Sequence, residues 1–355
     1  MRPVLRILAI TTMRNEAPFI LEWIAYHRHI GVTDFLVFSN DCDDGTDALL
    51  DRLDAMGVLS HVRNHSGGKK TVQWRALTKA QRHPLTRDAD WIYVTDVDEF
   101  LCIHAGDGKI ADLMAAVPEA EGFAIPWRMF GNASVQVFND TPVTDQFTKA
   151  APKALVWPWR AVQYKSLYKQ TGTYEKLGIH HPKASSADAM THWVDGNGKP
   201  LPRHLGTVVP TTDPRYGLAQ INHYALGSAE SFLVKAARGK PNHTSDPIDL
   251  AYWSDRNFNT VTDTRIQRHG KAIRDGIAAL MQDQTVAELH AAGVSWRKAK
   301  IKALLRTSDY FYLMARIRQM PETRVLDMGE QVSLLKQLFA IRREIAQRKR
   351  AEKNQ

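Results

Sequence analysis

Two aspartates, Asp96 and Asp98, are the side chains of this sequence best suited to chemistry. They follow an apolar run that begins at Trp91 and is rich in aromatic and β-branched residues, which predicts a buried strand. Because side chains alternate along a strand, we expect both carboxylates on one side and Val97 towards the core. Two carboxylates in that position are typical of a site for Mg²⁺ or Mn²⁺. The alternative interpretation is a solvated acidic turn.

Two other polar loops follow predicted strands nearer the start of the chain. Arg14, Asn15 and Glu16 come after the first strand, and the acidic segment 41–46, which contains Asp44, comes after the second. The carboxyl ends of parallel strands lie at one edge of a sheet, where α/β proteins bind their ligands. We therefore expect these loops to meet the aspartate pair at a nucleotide-binding edge. Each loop by itself also fits a helix cap or a solvated surface.

A pair of cations lies much further along the chain. Lys235 and Arg238 are three residues apart in a predicted helix and therefore share one of its faces. On that face they could neutralise the phosphate oxygens of a nucleotide. A solvated helix surface explains the two residues equally well.

The segments that would position these residues alternate between strand and helix. Strands are predicted at 6–12, 34–39 and 59–63, and the helices between them end near Gly31 and Gly57. This spacing predicts crossover connections and a doubly wound, mostly parallel sheet flanked by helices, which is an α/β fold. Further along we predict a helix at 71–83, strands at 122–126 and 220–226, and a helix that starts after Ser228 and ends at Gly239.

The pattern divides the chain into two parts. Residues 1–260 carry all the candidate site residues and predict a catalytic domain, in which the irregular stretch 135–209 is suited to acceptor recognition. Residues 261–355 predict a helical C-terminal extension. Its last segment, 341–353, holds six Lys or Arg against two Glu. Such a tail is either a solvated helix or a peripheral contact with an anionic membrane surface.

The composition is that of an ordinary globular protein, with 44% hydrophobic and 24% charged residues in a chain of 355. The net charge of +9 favours anionic partners without choosing among nucleotide phosphates, nucleic acid and acidic membranes. Two cysteines give neither a disulfide framework nor metal-ligand spacing, which fits a cytoplasmic protein. No apolar run approaches the roughly 18 residues that span a bilayer. The basic and then apolar start of the chain is short for a signal peptide and predicts the first strand.

The order of several motifs resembles the family 2 glycosyltransferases. The motifs are MRNEAPFILEWIAYHR, SNDCDDGT, DVDEFL, WRMFGNAS, YKSLYK, GIHHPK, NHYALGSAESFLVKAARGKPN and, more faintly, YWSDRNFN. The resemblance covers roughly residues 6–260. That family has the GT-A fold, an α/β domain that binds a nucleotide sugar and carries an Asp-x-Asp metal motif. The resemblance implies a nucleotide-diphosphate sugar as donor, a glycan or lipid-linked acceptor, transfer with inversion, and a place in cell-surface or exopolysaccharide synthesis.

The resemblance also implies roles for individual residues. Asp96 and Asp98 look like the Asp-x-Asp pair that holds Mn²⁺ or Mg²⁺ on the diphosphate of the donor. His223 looks like the downstream histidine that completes the metal site in many GT-A enzymes, although a lone histidine near a strand end is more often structural. The residues that match the nucleoside-lining loops are Arg14, Asn15, Glu16 and Asp44.

Two departures from the family pattern concern base recognition and proton transfer. Ser39 and Asn40 stand where many members have an acidic residue after the second strand. No Glu-Asp pair stands at the usual catalytic-base position, although an inverting transfer needs a group that accepts the proton of the acceptor hydroxyl. Asp195 is the candidate for that role. The alternative is that Asp195 only starts a turn with Gly196.

Two other functions compete with glycosyl transfer. A nucleotidyltransferase also combines an α/β nucleotide site with a carboxylate-bound metal, but the loop after the first strand is Arg-Asn-Glu and not a glycine-rich phosphate loop. A non-catalytic binder of polyanions would explain the positive charge. We expect no nucleic acid partner, because the sequence contains no recognisable module for reading nucleic acid.

Overall fold

The structure, a computed structural model, describes residues 5–65, 67, 71–184, 190–201, 213–238 and 248–353. The described residues form thirteen strands and twelve α-helices, together with two short 3₁₀ helices. The strands are β1 Ile7–Met13, β2 Asp34–Ser39, β3 Ser60–Arg63, β4 Trp91–Val94, β5 Glu99–Ile103, β6 Gly122–Met129, β7 Lys149–Ala150, β8 Tyr164–Lys169, β9 Tyr174–Lys176, β10 Lys183–Ala184, β11 Trp193–Asp195, β12 Ala219–His223 and β13 Val261–Thr262. The helices are α1 Ile20–Ile30, α2 Thr46–Ala55, α3 Val72–Ala80, α4 Pro84–Asp88, α5 Ile110–Ala116, α6 Val143–Gln146, α7 Ala229–Arg238, α8 Leu250–Ser254, α9 Gly270–Leu280, α10 Gln284–Leu304, α11 Ser308–Gln319 and α12 Met328–Lys353.

Nine of the strands form one mixed sheet in the order β3-β2-β1-β4-β8-β6-β12-β5, with β11 beside β6. Strands β3, β2, β1 and β4 are parallel, so their carboxyl ends lie at one edge, whereas β8 is antiparallel to both of its neighbours. Strand β12 is parallel to β6 and antiparallel to β5. The predicted α/β fold, a mostly parallel sheet flanked by helices, is confirmed.

The first three strands and the helices between them have the bounds that the sequence pattern predicts, within one or two residues. Strand β1 is almost wholly apolar because both faces of this parallel sheet are covered. Helix α1 ends at Gly31, which adopts φ +118°, a conformation that glycine reaches without the steric cost of a side chain. The helix predicted at 71–83 is shorter, because Pro84 begins the separate helix α4.

The strand prediction was wrong beyond Val94. The chain turns there, and Asp96, Val97 and Asp98 lie in the turn between β4 and β5, so strand alternation does not orient their side chains. Val97 is nevertheless buried, as expected. Strand β5 begins at Glu99 and pairs with β12, which brings His223 opposite Glu99 in the ladder.

The stretch predicted as irregular, 135–209, contains the central strand β8. This strand lies between β4 and β6, and five of its six residues are buried, including the ionisable Lys165. A lysine at the centre of a buried strand contradicts the usual hydropathy pattern, because charged groups are rarely buried without a partner. That is why the sequence pattern missed β8.

Residues beyond 260 form helices, as predicted, and the first of these helices share the main core. Helix α9 packs along α1, and α10 packs against α2 and α7. Four apolar side chains of this region belong to the same buried cluster as the sheet and α1: Ile266, Ile273, Leu280 and Val286. The helical extension is therefore packed against residues 1–260 and is not a separate unit. Among the helices of the described residues, none is both long and apolar enough to cross a membrane.

Candidate active site

The loops after β1 and β2 are held together by short polar contacts. The Asn15 side-chain oxygen accepts a hydrogen bond from the Asp43 backbone N–H at 2.8 Å, and Asn15 itself has φ +57°. The Asp44 carboxylate accepts from the backbone N–H groups of Ala17 at 3.0 Å and Thr46 at 2.9 Å. Asp44 is buried, so its two oxygens join the loops to each other. The structure thus brings the two predicted loops together at one edge of the sheet.

Asp96 contacts two residues that the sequence did not single out. Its carboxylate accepts from the Lys165 ammonium at 3.0 Å and from the Gln73 amide at 3.3 Å. Lys165 is wholly buried and lies 3.2 Å from the carboxylate of Glu99 as well. Burial alone would lower the pKa of Lys165, but the charges of Asp96 and Glu99 outweigh it and raise that pKa. Lys165 is therefore a permanent cation that fixes the turn carrying the aspartates.

Asp98 contacts a different cation. One of its oxygens accepts from the Lys235 ammonium at 2.6 Å, and Lys235 also donates to the Ala225 carbonyl at 2.7 Å. The other oxygen lies 3.9 Å from Nε2 of His223. Burial would raise the pKa of Asp98, but the neighbouring positive charges, Lys235 first, hold it below its usual range. Asp98 is thus ionised at neutral pH.

His223, at the end of β12, is buried beside the ring of Trp127, with 4.4 Å between the ring centroids. Burial lowers the pKa of His223 to about 3, so its imidazole is neutral at physiological pH. Its Nδ1 has no hydrogen-bond partner among the described residues. A neutral imidazole next to an ionised carboxylate has the chemistry of a metal ligand pair.

Glu16 and Arg238 form a second ion pair at the same edge. The Arg238 guanidinium contacts the Glu16 carboxylate and donates to the Arg14 carbonyl at 2.5 Å. The side chains of Glu16 and Arg238 are both mostly buried. Arg14 contributes its carbonyl here, and Nε of its own guanidinium is buried with no hydrogen-bond partner in the described part of the chain.

Arg297, from α10, is a site residue that no sequence pattern indicated. Its side chain lies against the rings of Phe19 and Phe138, 4.7 and 5.5 Å from their centroids. Its hydrogen bonds to the Asn15 carbonyl and to the Ser231 hydroxyl and carbonyl are all long, at 3.4 Å. Arg297 is only 5% exposed, and burial lowers its pKa to about 10. Within the described ranges it forms no ion pair.

The charged groups from α7, α10 and the loops surround one small cavity of about 50 Å³. Among the residues that the structure describes, three cations and two carboxylates line it, and these charged groups leave an excess of one positive charge. Those five residues are Glu16, Asp98, Lys235, Arg238 and Arg297. Asn15, Phe19 and Tyr224 supply part of its remaining wall. A partly enclosed site of this charge suits an anionic group such as a phosphate, because electrostatic attraction is strong where water is excluded.

Five of the predicted site residues line this cavity: Asn15, Glu16, Asp98, Lys235 and Arg238. Arg14, Asp96 and His223 do not line it but lie next to residues that do, in contact or in the chain. Asp44 does not line it either, but bonds to Ala17, the neighbour of Glu16 in the chain.

Asp195 lies apart from this cavity. One of its oxygens accepts from the backbone N–H groups of Asn197 and Lys199, at 2.9 and 3.0 Å. The other lies 3.4 Å from Nε of Arg215. Asp195 lines a separate cavity that shares no residue with the first. These contacts are those of a residue that shapes a turn, which was the alternative interpretation of its sequence.

The donor set around Asp98 fits a divalent cation by its chemistry. Asp98 is ionised and His223 is neutral, and one oxygen of Asp98 is not bonded to a lysine, whereas both oxygens of Asp96 accept hydrogen bonds, from Lys165 and Gln73. Carboxylate oxygen with imidazole nitrogen is a combination that Mn²⁺ accepts. In the described part of the chain no three His, Cys, Asp or Glu residues are already placed as a metal-binding group.

The fold and the site together define an α/β protein with a cavity lined by charged side chains at the carboxyl edge of its parallel strands. A family model, glycosyltransferase family 92, matches residues 7–210, which is more than half of the chain. The chain therefore belongs to glycosyltransferase family 92. The prediction of a glycosyltransferase is confirmed, whereas the more specific likeness to family 2 is not.

Plant proteins of the same family match a short part of the chain. A family 92 glycosyltransferase protein of Oryza sativa subsp. japonica is 30% identical over 97 residues, which are 26% of this chain and 15% of that protein. One of Ricinus communis is 28% identical over 110 residues, which are 29% of this chain and 18% of the relative. The chain thus aligns with less than a fifth of the length of either relative.

Likenesses to solved structures are weak. The S. aureus TarS 1–349 structure has a TM-score of 0.28 and 13% identity, and covers 46% of this chain and 47% of its own. The structure of 4-diphosphocytidyl-2C-methyl-D-erythritol synthase has a TM-score of 0.27 and 14% identity. The match covers 46% of this chain and 75% of the synthase chain. Likeness of this strength carries no inference about activity.

Proposed function

We propose that this protein transfers a sugar from a nucleotide-diphosphate sugar to an acceptor hydroxyl with the help of a divalent cation. One observation supports this most strongly. Three cations, Lys235, Arg238 and Arg297, line the same cavity as Asp98 at the sheet edge where α/β proteins bind ligands. Membership of a glycosyltransferase family supports a nucleotide sugar as the ligand of this cavity.

The chemistry of the reaction accounts for the cations. When the bond between the anomeric carbon and the diphosphate oxygen breaks, the electron pair stays on the diphosphate, which leaves as an anion. Lys235 and Arg238 are held by Asp98 and Glu16, so they are already oriented before the substrate binds. Oriented charges that need no rearrangement stabilise a transition state best, and removing one such contact costs about 10²–10³ in rate.

Asp98, His223 and Asp96 are the residues that would hold the cation. A divalent ion there would screen the negative charge that the diphosphate gains on leaving. Asp98 contributes an ionised carboxylate and His223 a neutral imidazole nitrogen. Asp96 is held by Lys165 and Gln73, which positions the turn on which both aspartates lie.

Hydrolysis of nucleotide sugars tests the proposal. A panel of nucleotide-diphosphate sugars is incubated with the purified protein and Mn²⁺, and the release of nucleoside diphosphate is measured. We expect slow release from at least one donor, loss of that release with a chelator, and at least about a 10²-fold loss in Asp98→Ala. Asp309→Ala, on helix α11 far along the chain, is the matched control and keeps the full rate.

The products distinguish this function from the alternatives. Release of sugar 1-phosphate, together with transfer of a nucleoside monophosphate, would establish a nucleotidyltransferase in its place. Turnover of no donor, with tight salt-dependent binding of polyanions, would point to the non-catalytic alternative. Full activity of Asp98→Ala in the presence of chelator would refute the role of the metal.

The finer features of the reaction are part of the same proposal. The resemblance to family 2 supports transfer with inversion at the anomeric carbon and an acceptor that is a glycan or is linked to a lipid, as in cell-surface or exopolysaccharide synthesis. We assign the base role to no residue, because both oxygens of Asp195 are already engaged. The anomeric configuration of the product, read by proton NMR, tests the inversion.

The end of α12 supports a peripheral membrane contact on the cytoplasmic side. Ile341 and Ile345 are one helical turn apart and are 54% and 47% exposed. Arg342, Arg343 and Arg348 are exposed along the same segment. Apolar side chains next to basic ones suit an anionic lipid surface, at about 1 kcal/mol per basic residue. Deletion of residues 341–355 should abolish salt-sensitive binding to phosphatidylserine vesicles, and equal binding by the shortened protein would refute the contact.

A further inference from the structure

A large groove lies between helix α3 and the hairpin of β9 and β10. Its volume is about 550 Å³, which is in the range of ligand-binding sites. One wall comes from α3 and the residues that follow it, and the other from the hairpin. The side chains of this groove that carry the proposal are Trp74, Gln81, Arg82, Glu175, Lys176 and Lys183.

An exposed tryptophan forms part of the groove. Trp74 is 37% exposed, and Nζ of Lys183 lies 5.9 Å from the centre of its ring. Large aromatic side chains are usually buried, and a tryptophan that remains accessible next to polar groups is typical of a binding surface. Its flat apolar face suits the face of a sugar ring that carries only C–H groups. Leu77 and Leu177 extend the apolar floor beneath it.

Polar and mostly cationic side chains surround this floor. Arg82, Lys176 and Lys183 are exposed, and none of the three forms an ion pair in the part of the chain that the structure describes. Among the described residues that line the groove, Glu175 is the one acidic residue, so their charged groups leave an excess of two positive charges. Long donors of this kind can bond to hydroxyl and carboxylate oxygens, and the excess charge attracts anions.

The groove borders the candidate active site through consecutive residues of α3. Gln73 faces inward and donates to the carboxylate of Asp96 at 3.3 Å. Trp74, the next residue, faces outward into the groove. Adjacent Cα atoms are about 3.8 Å apart, so an oligosaccharide on Trp74 lies within a few sugar units of the Asp96 turn.

We propose that this groove binds an acidic oligosaccharide, and that it holds the acceptor chain of the reaction. Trp74 stacks on one sugar ring, while Arg82, Lys176 and Lys183 bind the carboxylate groups of the chain. That the bound chain is the acceptor rests on the proposed glycosyl transfer. The binding itself depends only on the residues of the groove.

Calorimetric titration with two trisaccharides tests the binding without any nucleotide. We expect trigalacturonate to bind the full-length protein and the neutral maltotriose to bind at least about tenfold more weakly, with the difference shrinking at high salt. Trp74→Ala should weaken trigalacturonate binding about tenfold or more, and Trp74→Phe should restore most of it, because a ring is again present. Lys183→Gln should remove part of the salt dependence.

Phe311→Ala is the matched control, because Phe311 is an exposed aromatic residue on helix α11, outside the groove. It should bind trigalacturonate as the unchanged protein does. Equal binding of the two trisaccharides, absence of trigalacturonate binding, or the same affinity in Trp74→Ala and Phe311→Ala would each overturn the proposal. Nucleoside diphosphate binding is measured on the same samples, so failure of the groove and failure of the donor site are separate results.

Discussion

At the scale of single residues, the positive charge of Arg297 is less well compensated than that of Lys235 or Arg238, each of which contacts a carboxylate. Arg297 is a buried cation with two aromatic rings and three long hydrogen bonds around it, and it has no carboxylate partner among the described residues. Burial of an unpaired charge is costly, which is why burial lowers its pKa to about 10. An anionic diphosphate in the adjoining cavity would offset this cost.

The unpaired charge of Arg297 leads to a prediction in which stability is kept or raised while ligand binding is weakened. Arg297→Gln should leave the free energy of unfolding within about 1 kcal/mol of the original value or raise it, because a buried unpaired charge is removed. The same change should weaken nucleoside diphosphate binding by about tenfold or more. Urea unfolding and calorimetric titration measure the two effects. The exposed Arg318→Gln on α11 should change neither, and a variant of Arg297 that lost stability but kept its affinity would contradict the assigned role.

The residues that the sequence could predict differ in kind from those it missed. Asp96, Asp98, Asn15 and Glu16 stand in loops directly after strands, where a polar residue signals function more often than packing. Lys165, Gln73 and Arg297 lie inside a strand or a helix, where the sequence pattern says only whether a side chain is buried. Their roles come from the fold, which places them next to charges that are distant in the chain.

At the scale of elements, helix α10 has a close contact that sets where Arg297 lies. Gly293 is one turn before Arg297, and a Cβ atom at Gly293 would overlap the Cβ of Ala17 in the loop after β1. The backbone carbonyl of Asp44 would lie 3.4 Å from it. Glycine is therefore required because the helix backbone packs directly on the two loops of the site.

Substitution of this glycine should move the helix away from the loops. Gly293→Val should lower the free energy of unfolding by about 1–3 kcal/mol, as overpacking does, and should weaken nucleoside diphosphate binding because Arg297 shifts with α10. Ala292→Val, on the exposed side of the same helix, introduces the same side chain without the overlap and should cost only a few tenths of a kcal/mol. Urea unfolding of the two variants, side by side, measures the difference. Equal stability would show that α10 does not pack as described.

Some strands and helices could be predicted from the sequence pattern alone, and others could not. Strands β1 to β3 and helices α1 and α2 alternate with clear apolar periodicity, and the structure has them where the pattern predicts. Strand β8 escaped detection because its buried lysine neutralises carboxylates from β5 and from the turn after β4. Lys165 and Asp96 are 69 positions apart in the chain, so the residues around Lys165 do not indicate that it has a carboxylate partner.

At the scale of the whole molecule, the core is continuous from the sheet through α1 to the helices beyond residue 260. Four buried apolar side chains from Ile266 to Val286 contribute about 1.5–3 kcal/mol each. Their sum is comparable with the 5–15 kcal/mol by which a typical domain is stable. The sequence pattern predicts a boundary near residue 260. The chain becomes mainly helical there, but the hydrophobic core continues across it.

The same core contains a group that makes stability depend on pH. The ring of His27 lies in α1 among aromatic side chains, with Nδ1 2.9 Å from the Trp23 carbonyl, and burial lowers its pKa to about 3. In the unfolded chain a histidine has a pKa of about 6.5. The unfolded state therefore binds one more proton between pH 6.5 and 3. The free energy of unfolding falls through this window as the pH falls, by about 1.4 kcal/mol per pH unit for this group.

A variant without the imidazole should lack the contribution of His27 to the change of the free energy of unfolding with pH. Between pH 6 and 4.5, we expect the free energy of unfolding of His27→Leu to change less with pH than that of the unchanged protein. The difference in slope should correspond to about one bound proton. Phe100→Leu changes a neighbour of the same ring and should lower stability at every pH without altering the slope. Urea unfolding at several pH values measures both. An unchanged slope in His27→Leu would show that His27 is not held neutral by the fold.

The claim on which the proposed function depends is that the cavity beside Asp98 binds the diphosphate of a nucleotide. Calorimetric titration of a panel of nucleoside diphosphates, with Mn²⁺ and then with a chelator, tests it most directly. We predict that at least one nucleoside diphosphate binds with Mn²⁺, at least about tenfold more weakly with the chelator, and at least about tenfold more weakly again in Arg238→Gln. Absence of binding across the panel, or an affinity that neither the chelator nor Arg238→Gln changes, would contradict the claim.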